Sequence, residues 1–115
     1  MHRTRIDALP HVGMSHQFIG AEQGDVQACS YFVDAPPGRG PVLHRHPYDK
    51  IAYIISGRVR WTVEGTEFDA GPGEILVVKA GEAHKFRSLG PENLVQIDVH
   101  LAPRFEQENL ESAPS

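Results

Sequence analysis

Glycine and proline interrupt this chain every few residues, and this restricts its fold more than any other feature. The sequence contains 11 glycines and 9 prolines, grouped in segments such as APPGRGP, AGPG and LGPEN. Proline removes a helical hydrogen bond and glycine costs backbone entropy, so a long helix is disfavoured between these groups. Only short segments remain, and the sequence therefore predicts an all-β domain.

The segments between the breaks have the composition of strands. Each is rich in valine, isoleucine, phenylalanine or tyrosine, and they follow one another at intervals of about ten residues, as in a sandwich or barrel. The run EILVV is apolar on both faces, which predicts a covering layer on each side. A second subunit can supply one layer, so we predict a homodimer. The predicted strands are MSHQFIG, VQACSYFV, KIAYIIS, RVRWTV, EILVV, AHKFRSL and LVQIDVHL.

The length of 115 residues suits one domain with a buried core. We divide it into an N-terminal segment, 1–24, with a candidate edge strand, and a barrel over 25–102. The tail, 103–115, has room for one short helical turn before a disordered end.

Charge and cysteine content limit the classes of partner. The formal net charge is −4 with acids and bases interspersed, which predicts no nucleic-acid partner and no membrane surface partner. No run approaches the roughly 18 apolar residues of a membrane span, and the N-terminus lacks the apolar core of a signal peptide. One cysteine, Cys29, fits a reducing compartment, so we predict a cytoplasmic protein.

Two histidines separated by one residue are the first candidate for chemistry. Side chains alternate along a strand, so His44 and His46 would point the same way and could hold one metal ion. The alternative is a polar strand face without a metal. His84 opens a later strand and could add a third nitrogen, although sequence spacing alone does not bring it close. The next ionisable residue with the parity of the pair is Lys50, which is positively charged.

Two spaced motifs in this region resemble a known family. Residues 38–57 read G-x5-H-x-H-x3-K-x6-G and residues 73–84 read G-x5-K-x-G-x2-H, similar to the two motifs of the cupin superfamily. The resemblance implies a single double-stranded β-helix, or jelly-roll, barrel. It also implies one divalent metal on His44, His46 and His84, a small-molecule ligand or substrate and a habit of dimerisation.

Three positions depart from the family pattern. Lys50 stands where the family has a glutamate that binds the metal, Lys79 replaces a proline and Ser88 replaces an asparagine. An ammonium near a dication weakens metal binding. Burial can leave the lysine uncharged, or its side chain can turn to the cavity mouth or to a carboxylate such as Asp49 or Asp98. Iron, zinc, nickel, manganese and copper all suit three histidines, and no metal at all is the alternative that Lys50 leaves open.

Further residues are predicted to line the cavity. For residues 94–101 two orientations stay open, since either the polar or the apolar side chains can face inwards. The predicted lining residues are Lys50, His100, Trp61, Phe86, Ser88, Asp98 and Gln96.

Three functions follow from these residues. The first is a metal-dependent cupin that acts on or binds a small polar molecule, with dioxygenase-like or isomerase-like chemistry. The second is a metal-free binding or sensing module that holds an anionic small molecule with Lys50 and the histidines. The third is a dimer scaffold whose site has decayed.

Overall fold

A computed structural model describes residues 1–112 as an all-β barrel, which confirms the predicted fold class. A short 3-10 turn, Ile6–Ala8, precedes the first strand. The strands in this part of the chain are β1 (His11–Val12), β2 (Ser15–Ile19), β3 (Cys29–Ala35), β4 (His44–Arg45), β5 (Lys50–Ser56), β6 (Val59–Val63), β7 (Thr66–Ala70), β8 (Ile75–Val78), β9 (His84–Ser88), β10 (Leu94–His100) and β11 (Glu108–Asn109).

The strands form two antiparallel sheets that enclose one core. One sheet has six strands in the order β1-β2-β3-β10-β5-β8, and the other has five in the order β11-β4-β9-β6-β7. Core side chains come from both sheets, including Ile54 and Leu94 from the first and Val59, Trp61 and Phe86 from the second. Because every second residue of a strand faces inwards, each sheet presents one row of side chains per strand to this interior.

The strand β10 shows which side faces inwards. Its burial alternates without a break, and Gln96, Asp98 and His100 are at most 2% exposed. The apolar alternates Val95, Ile97 and Val99 are only half-buried on the opposite face. The structure thus adopts the orientation in which the polar side chains point into the barrel.

One tight turn explains a glycine of the first motif. Gly57 joins β5 to β6 with φ at 83°, a left-handed conformation that glycine adopts without strain. A side chain there would also collide with the backbone of Asn93. This turn sends the chain from the six-stranded sheet to the five-stranded sheet.

The seven predicted strand segments all contain observed strands, and the C-terminal tail differs from its prediction. The predicted helical turn is wrong for residues 103–112, where the chain bends and then forms β11. Glu108 and Asn109 pair there with Arg45 and His44 of β4, because that short strand offers an open edge. The disordered end predicted for 113–115 lies outside the described residues.

The strand β8 is covered on one side only. Val78 is buried, whereas Ile75 and Val77 are 60% and 62% exposed at the edge of the six-stranded sheet. Ile55 on the neighbouring β5 is also 52% exposed. Among residues 1–112, no helix has the length and apolar content needed to cross a bilayer.

Candidate metal centre

Strand pairing brings the three predicted metal-binding histidines together. His44 on β4 and His84 on β9 are direct cross-strand partners, and His46 follows immediately after β4. One nitrogen from each ring lies within 4.8 Å of those of the other two. All three side chains are buried, with 0–4% exposure. The cluster therefore lies inside the barrel, where the two predicted motifs meet.

Backbone carbonyl groups fix the protonation of these three rings. His44 and His84 each donate from Nδ1 to the carbonyl oxygen two residues earlier, at 2.6 and 2.9 Å. His46 donates from Nδ1 to the carbonyl oxygen of Glu106 at 2.7 Å. A carbonyl can only accept, so each neutral ring carries its proton on Nδ1 and presents the Nε2 lone pair. Backbone acceptors of this kind typically orient metal-binding histidines.

The cavity environment keeps the rings neutral. The pKa of His44 is lowered to about 4 and that of His84 to about 3, mainly by burial, and the nearby Lys50 ammonium contributes to both shifts. The pKa of His46 is also lowered, again mainly by burial. Neutral imidazole is the form that binds a transition metal, so the donor set is ready at neutral pH.

Lys50 is buried beside this cluster and is directed to a carboxylate. Its Nζ lies 3.3 Å from Oδ2 of Asp98, and both side chains are at most 3% exposed. The other carboxylate oxygen accepts from Gln96 at 2.8 Å. Lys50 also lies over the ring of Trp61, with Nζ 5.3 Å from the centroid. The positive charge beside the histidines is thus compensated by a negative charge from β10.

Asp49 lies immediately before β5 and is bonded to the turn at residues 79–80. Its carboxylate accepts from Lys79 Nζ at 2.6 Å and from the Ala80 amide at 2.9 Å. The lysine that replaces the family proline therefore holds a turn within the second motif. Asp49 is unable to serve as a ligand from this position.

A fourth histidine adjoins the cluster. His100 is 1% exposed and its ring centroid lies 4.7 Å from that of His46. Its Nδ1 is 2.7 Å from the Tyr48 hydroxyl. The oxygen of that hydroxyl accepts a hydrogen bond from the Glu106 amide at 3.3 Å. Burial lowers the pKa of His100 to about 2, and the Lys50 ammonium contributes in the same direction.

Tyr48 and Glu106 are site residues that sequence reasoning missed. Tyr48 shares the strand parity of His44, His46 and Lys50, and this was the signal available in the sequence. Glu106 contributes only its backbone, which leaves no signal in the residue type.

The cavity next to the cluster has a volume of about 260 Å³. Trp61, Ser88 and Gln96, predicted to line it, are fully buried outside its wall. Trp61 belongs to the hydrophobic core, Ser88 pairs with Val59 in the packed sheet, and Gln96 bonds to Asp98. The predicted residues on the wall are His44, His46, Lys50, Phe86, Asp98 and His100.

Some buried polar atoms have no partner, and two of them belong to His46 and His100 on the cavity wall. Such atoms are costly unless a water, ion or ligand satisfies them. Within residues 1–112 the buried side-chain atoms without a hydrogen-bond partner are Nε2 of His46, His84 and His100, Nε1 of Trp61, Oγ of Ser88 and Oε1 of Gln96. Three of these are ring nitrogens of the histidine group. The donor set therefore fits a divalent transition metal with positions left for another ligand.

Comparison with known sequences supports this assignment. The sequence profile of the Cupin domain family matches residues 31–100. The tetracenomycin polyketide synthase protein TcmJ of Streptomyces glaucescens is 30% identical over 118 residues, covering 93% of this chain and 79% of the relative. The nitrosourea synthase of Streptomyces achromogenes subsp. streptozoticus is 33% identical over 79 residues, which cover 67% of this chain but 15% of that protein.

Solved structures agree on the fold. The S161A mutant of oxalate decarboxylase from Bacillus subtilis superposes with a TM-score of 0.77 and 22% identity over 89% of this chain. The oxalate decarboxylase–formate complex from Lactobacillus farciminis gives a TM-score of 0.78 and 18% identity over 90% of the chain. This chain spans 29% and 34% of those two chains, and the likeness extends to the fold alone.

Proposed function

This chain belongs to the cupin family, and we propose that it is a metal-dependent enzyme acting on a small polar molecule. His44, His46 and His84 hold a divalent transition metal in this proposal, and the 260 Å³ cavity receives the substrate. One observation carries it: three buried ring nitrogens lie within 4.8 Å of one another, on rings whose Nδ1 protons are already held by carbonyl groups.

The residues around the cluster have separate tasks in this proposal. The three histidines each supply one nitrogen within 4.8 Å of the other two, and their burial keeps bulk water away. Asp98 holds the Lys50 ammonium at 3.3 Å and so reduces its repulsion of a dication. A metal bound there would supply a Lewis acid that polarises an oxygen atom of the substrate.

The proposed chemistry is oxygenation or isomerisation, with decarboxylation as a third reaction class. Three histidines without a carboxylate suit iron, zinc, nickel, manganese and copper. The structurally similar Bacillus subtilis oxalate decarboxylase has Mn(II) centres, and its substrate, oxalate, is a small oxygen anion. That likeness supports a metal and a small anionic substrate as the first combination to assay here.

Metal content is the decisive measurement. We expect about one ion per chain by mass spectrometry of untagged protein purified without metal-affinity resin or chelator. If Lys50 opposes the ion, Lys50→Glu combined with Asp98→Asn should tighten metal binding at least about tenfold. Protein that contains no metal, even after reloading with each candidate ion, would refute the proposal.

A metal-free binding module is the second candidate, and the hydrogen bonding of Lys50 favours it. An ammonium has three donors, yet Lys50 has one side-chain acceptor among the described residues, Asp98. An anionic ligand could accept from the remaining donors. This function predicts that carboxylates raise the melting temperature of chelator-treated protein and that Lys50→Ala abolishes the rise. No response across a panel of carboxylates would count against it.

For assembly we propose a homodimer. The exposed apolar side chains Ile55, Ile75 and Val77 support a second copy packing against this edge of the six-stranded sheet. Light scattering should then give twice the mass of the chain, and Val77→Glu should halve it. Ile6→Glu, at an apolar residue 51% exposed elsewhere, is the control that should leave the mass unchanged. A wild-type mass equal to one chain would contradict a dimer. The cytoplasmic location stays a prediction.

A further inference from the structure

The fourth histidine of the cavity has a different hydrogen-bond partner from the other three. His100 Nδ1 faces a hydroxyl group, at 2.7 Å from Tyr48, where the other rings face carbonyl oxygens. A hydroxyl has one proton to donate and two lone pairs that accept, so the acceptors around it bear on the direction of the bond. The Glu106 amide lies 3.3 Å from the same oxygen and can only donate to it. Among residues 1–112 the hydroxyl contacts no acceptor other than His100 Nδ1, so its proton is satisfied only if Tyr48 donates and the ring accepts.

This assignment fixes the tautomer of His100. A neutral imidazole carries one proton, and if Nδ1 accepts, the proton resides on Nε2. His100 Nε2 is buried and has no partner among residues 1–112. It is consequently a hydrogen-bond donor, whereas the unpartnered Nε2 atoms of His46 and His84 are acceptors.

The position of His100 is consistent with a donor role distinct from that of the three predicted metal ligands. The ring lies outside the group of three whose nitrogens are within 4.8 Å of one another. It lines the cavity and is the direct cross-strand partner of Lys50. His100 and Lys50 are therefore neighbours that line the same cavity as His44 and His46.

We propose that His100 binds the substrate, donating from Nε2–H to an anionic oxygen such as a carboxylate or enolate oxygen. The inference deepens the proposed function, because it names the substrate class for the same cavity. Tyr48 is then a positioning residue, since it keeps the proton on Nε2 without touching the ligand. The Glu106 backbone links the metal-binding residues to the substrate-binding residues. Its carbonyl orients His46, and its amide orients Tyr48.

The tautomer can be measured without any ligand or metal. We expect nitrogen-15 NMR of metal-free protein at neutral pH to report the proton on Nε2 in His100 and on Nδ1 in His44, His46 and His84. Tyr48→Phe should remove this preference from His100 and leave the other three rings unchanged. An Nδ1 proton on His100 in the wild type would overturn the proposal.

The ligand contact is tested with oxalate as the probe, titrated into metal-reloaded protein by calorimetry. His100→Phe removes the donor and should weaken oxalate about 10- to 100-fold, the range for a hydrogen bond to a charged group. His100→Gln places an amide N–H near the position of Nε2 and should restore affinity to within about threefold. Metal content, measured in the same samples, should be unchanged in both variants.

The outcomes separate this inference from the proposed function. Wild type that fails to bind oxalate, or His100→Phe that binds it as tightly as wild type, overturns the role of His100. Loss of metal in both variants would make His100 a ligand and overturn it as well. Protein that takes up no metal, but binds oxalate through a His100 bearing Nε2–H, refutes the enzyme and leaves this inference standing.

Discussion

The two sheets present opposite chemistry to the same cavity. The five-stranded side offers ring nitrogens from His44 on β4 and the adjoining His46, and His84 of β9 lies next to them. The wall from β5 and β10 of the six-stranded sheet offers the Lys50 ammonium, the Asp98 carboxylate and the His100 ring. The histidine wall is suited to a cation and the opposite wall to an anion. A metal would therefore bind at the first wall and an anionic substrate at the second.

Histidine identity alone does not define a role in this barrel. All four rings are buried, and Nε2 of His46, His84 and His100 has no hydrogen-bond partner among residues 1–112. Their difference arises from the partner of Nδ1, which is a carbonyl on the five-stranded side and a tyrosine hydroxyl on the other. A single hydroxyl thus converts an acceptor into a donor.

Lowering the pH should protonate the buried histidines and so remove the lone pairs of one wall. We expect this change to have the largest effect on stability. The folded protein keeps these histidines neutral, with pKa about 3 for His84 and about 2 for His100, while the unfolded chain protonates near pH 6.5. The unfolded state binds more protons in that interval. The free energy of unfolding therefore decreases as the pH is lowered, by about 1.4 kcal/mol per pH unit for each ring. The Lys50 ammonium contributes to the lowered pKa of both rings.

We expect metal-free protein to lose several kcal/mol of unfolding free energy between pH 7 and about 4.5. Denaturant titrations at a series of pH values measure it, and metal-loaded protein is the control, which should resist acid further. Stability that stays level down to pH 5 would contradict buried neutral rings.

Removal of one ring from the five-stranded wall should have the next largest effect. His84→Ala deletes one of three ligands, and we expect metal affinity to fall at least about a thousandfold in competition with a chelator, since two histidines remain. His16→Ala, in the N-terminal segment, is the matched control. A variant that retains one ion per chain would show that His84 is not a ligand.

Breaking the ion pair of the six-stranded wall should cost stability. Asp98→Asn leaves the Lys50 charge buried without its partner and should lower the unfolding free energy by about 3 kcal/mol. Asp7→Asn removes the partner of Arg5 in an exposed pair at 3.2 Å and should cost less than about 1 kcal/mol. Lys50→Met with Asp98→Leu should recover most of the loss. Equal costs for Asp98→Asn and Asp7→Asn would contradict a buried charge pair.

The smallest effect concerns the tail that supports the His46 carbonyl partner. Arg45 forms two bonds to Glu108 at 2.9 and 3.1 Å, both partners being exposed. Arg45→Ala should cost less than about 1 kcal/mol and weaken metal binding by no more than about threefold. Arg104→Ala breaks a similar exposed pair with Glu22 and should leave metal affinity unchanged. Identical metal affinities in the two variants would show that the Arg45–Glu108 contact does not support the metal site.

Most of the fold was accessible from the sequence, because alternation and turn residues specify strands locally. The strand β7 was missed, since TEFDA is mostly exposed on both faces and carries no alternating apolar pattern. The two-residue strands β4 and β11 are too short to give a pattern. The tail was misjudged as helical because its pairing with β4 depends on an edge that only the assembled sheet creates.

The site was accessible in part, for a similar physical reason. The spacing of His44, His46 and His84 survives in the sequence because strands fix their side-chain directions. The contact between Lys50 and Asp98 was one of several open alternatives, and distance in the fold decided it. The tautomer of His100 was inaccessible, because it depends on the contacts of the Tyr48 hydroxyl, which form only in the folded barrel.

The bond from His46 to the Glu106 carbonyl spans 60 residues and has a consequence for biosynthesis. A ribosome must release Glu106 before this ring acquires its acceptor, and the barrel must close before the tail can reach it. Ion capture would then follow completion of the fold rather than guide it. A nascent chain that exposes the HxH pair early would hold only a weak, two-nitrogen site, which limits its occupation by the wrong metal during translation.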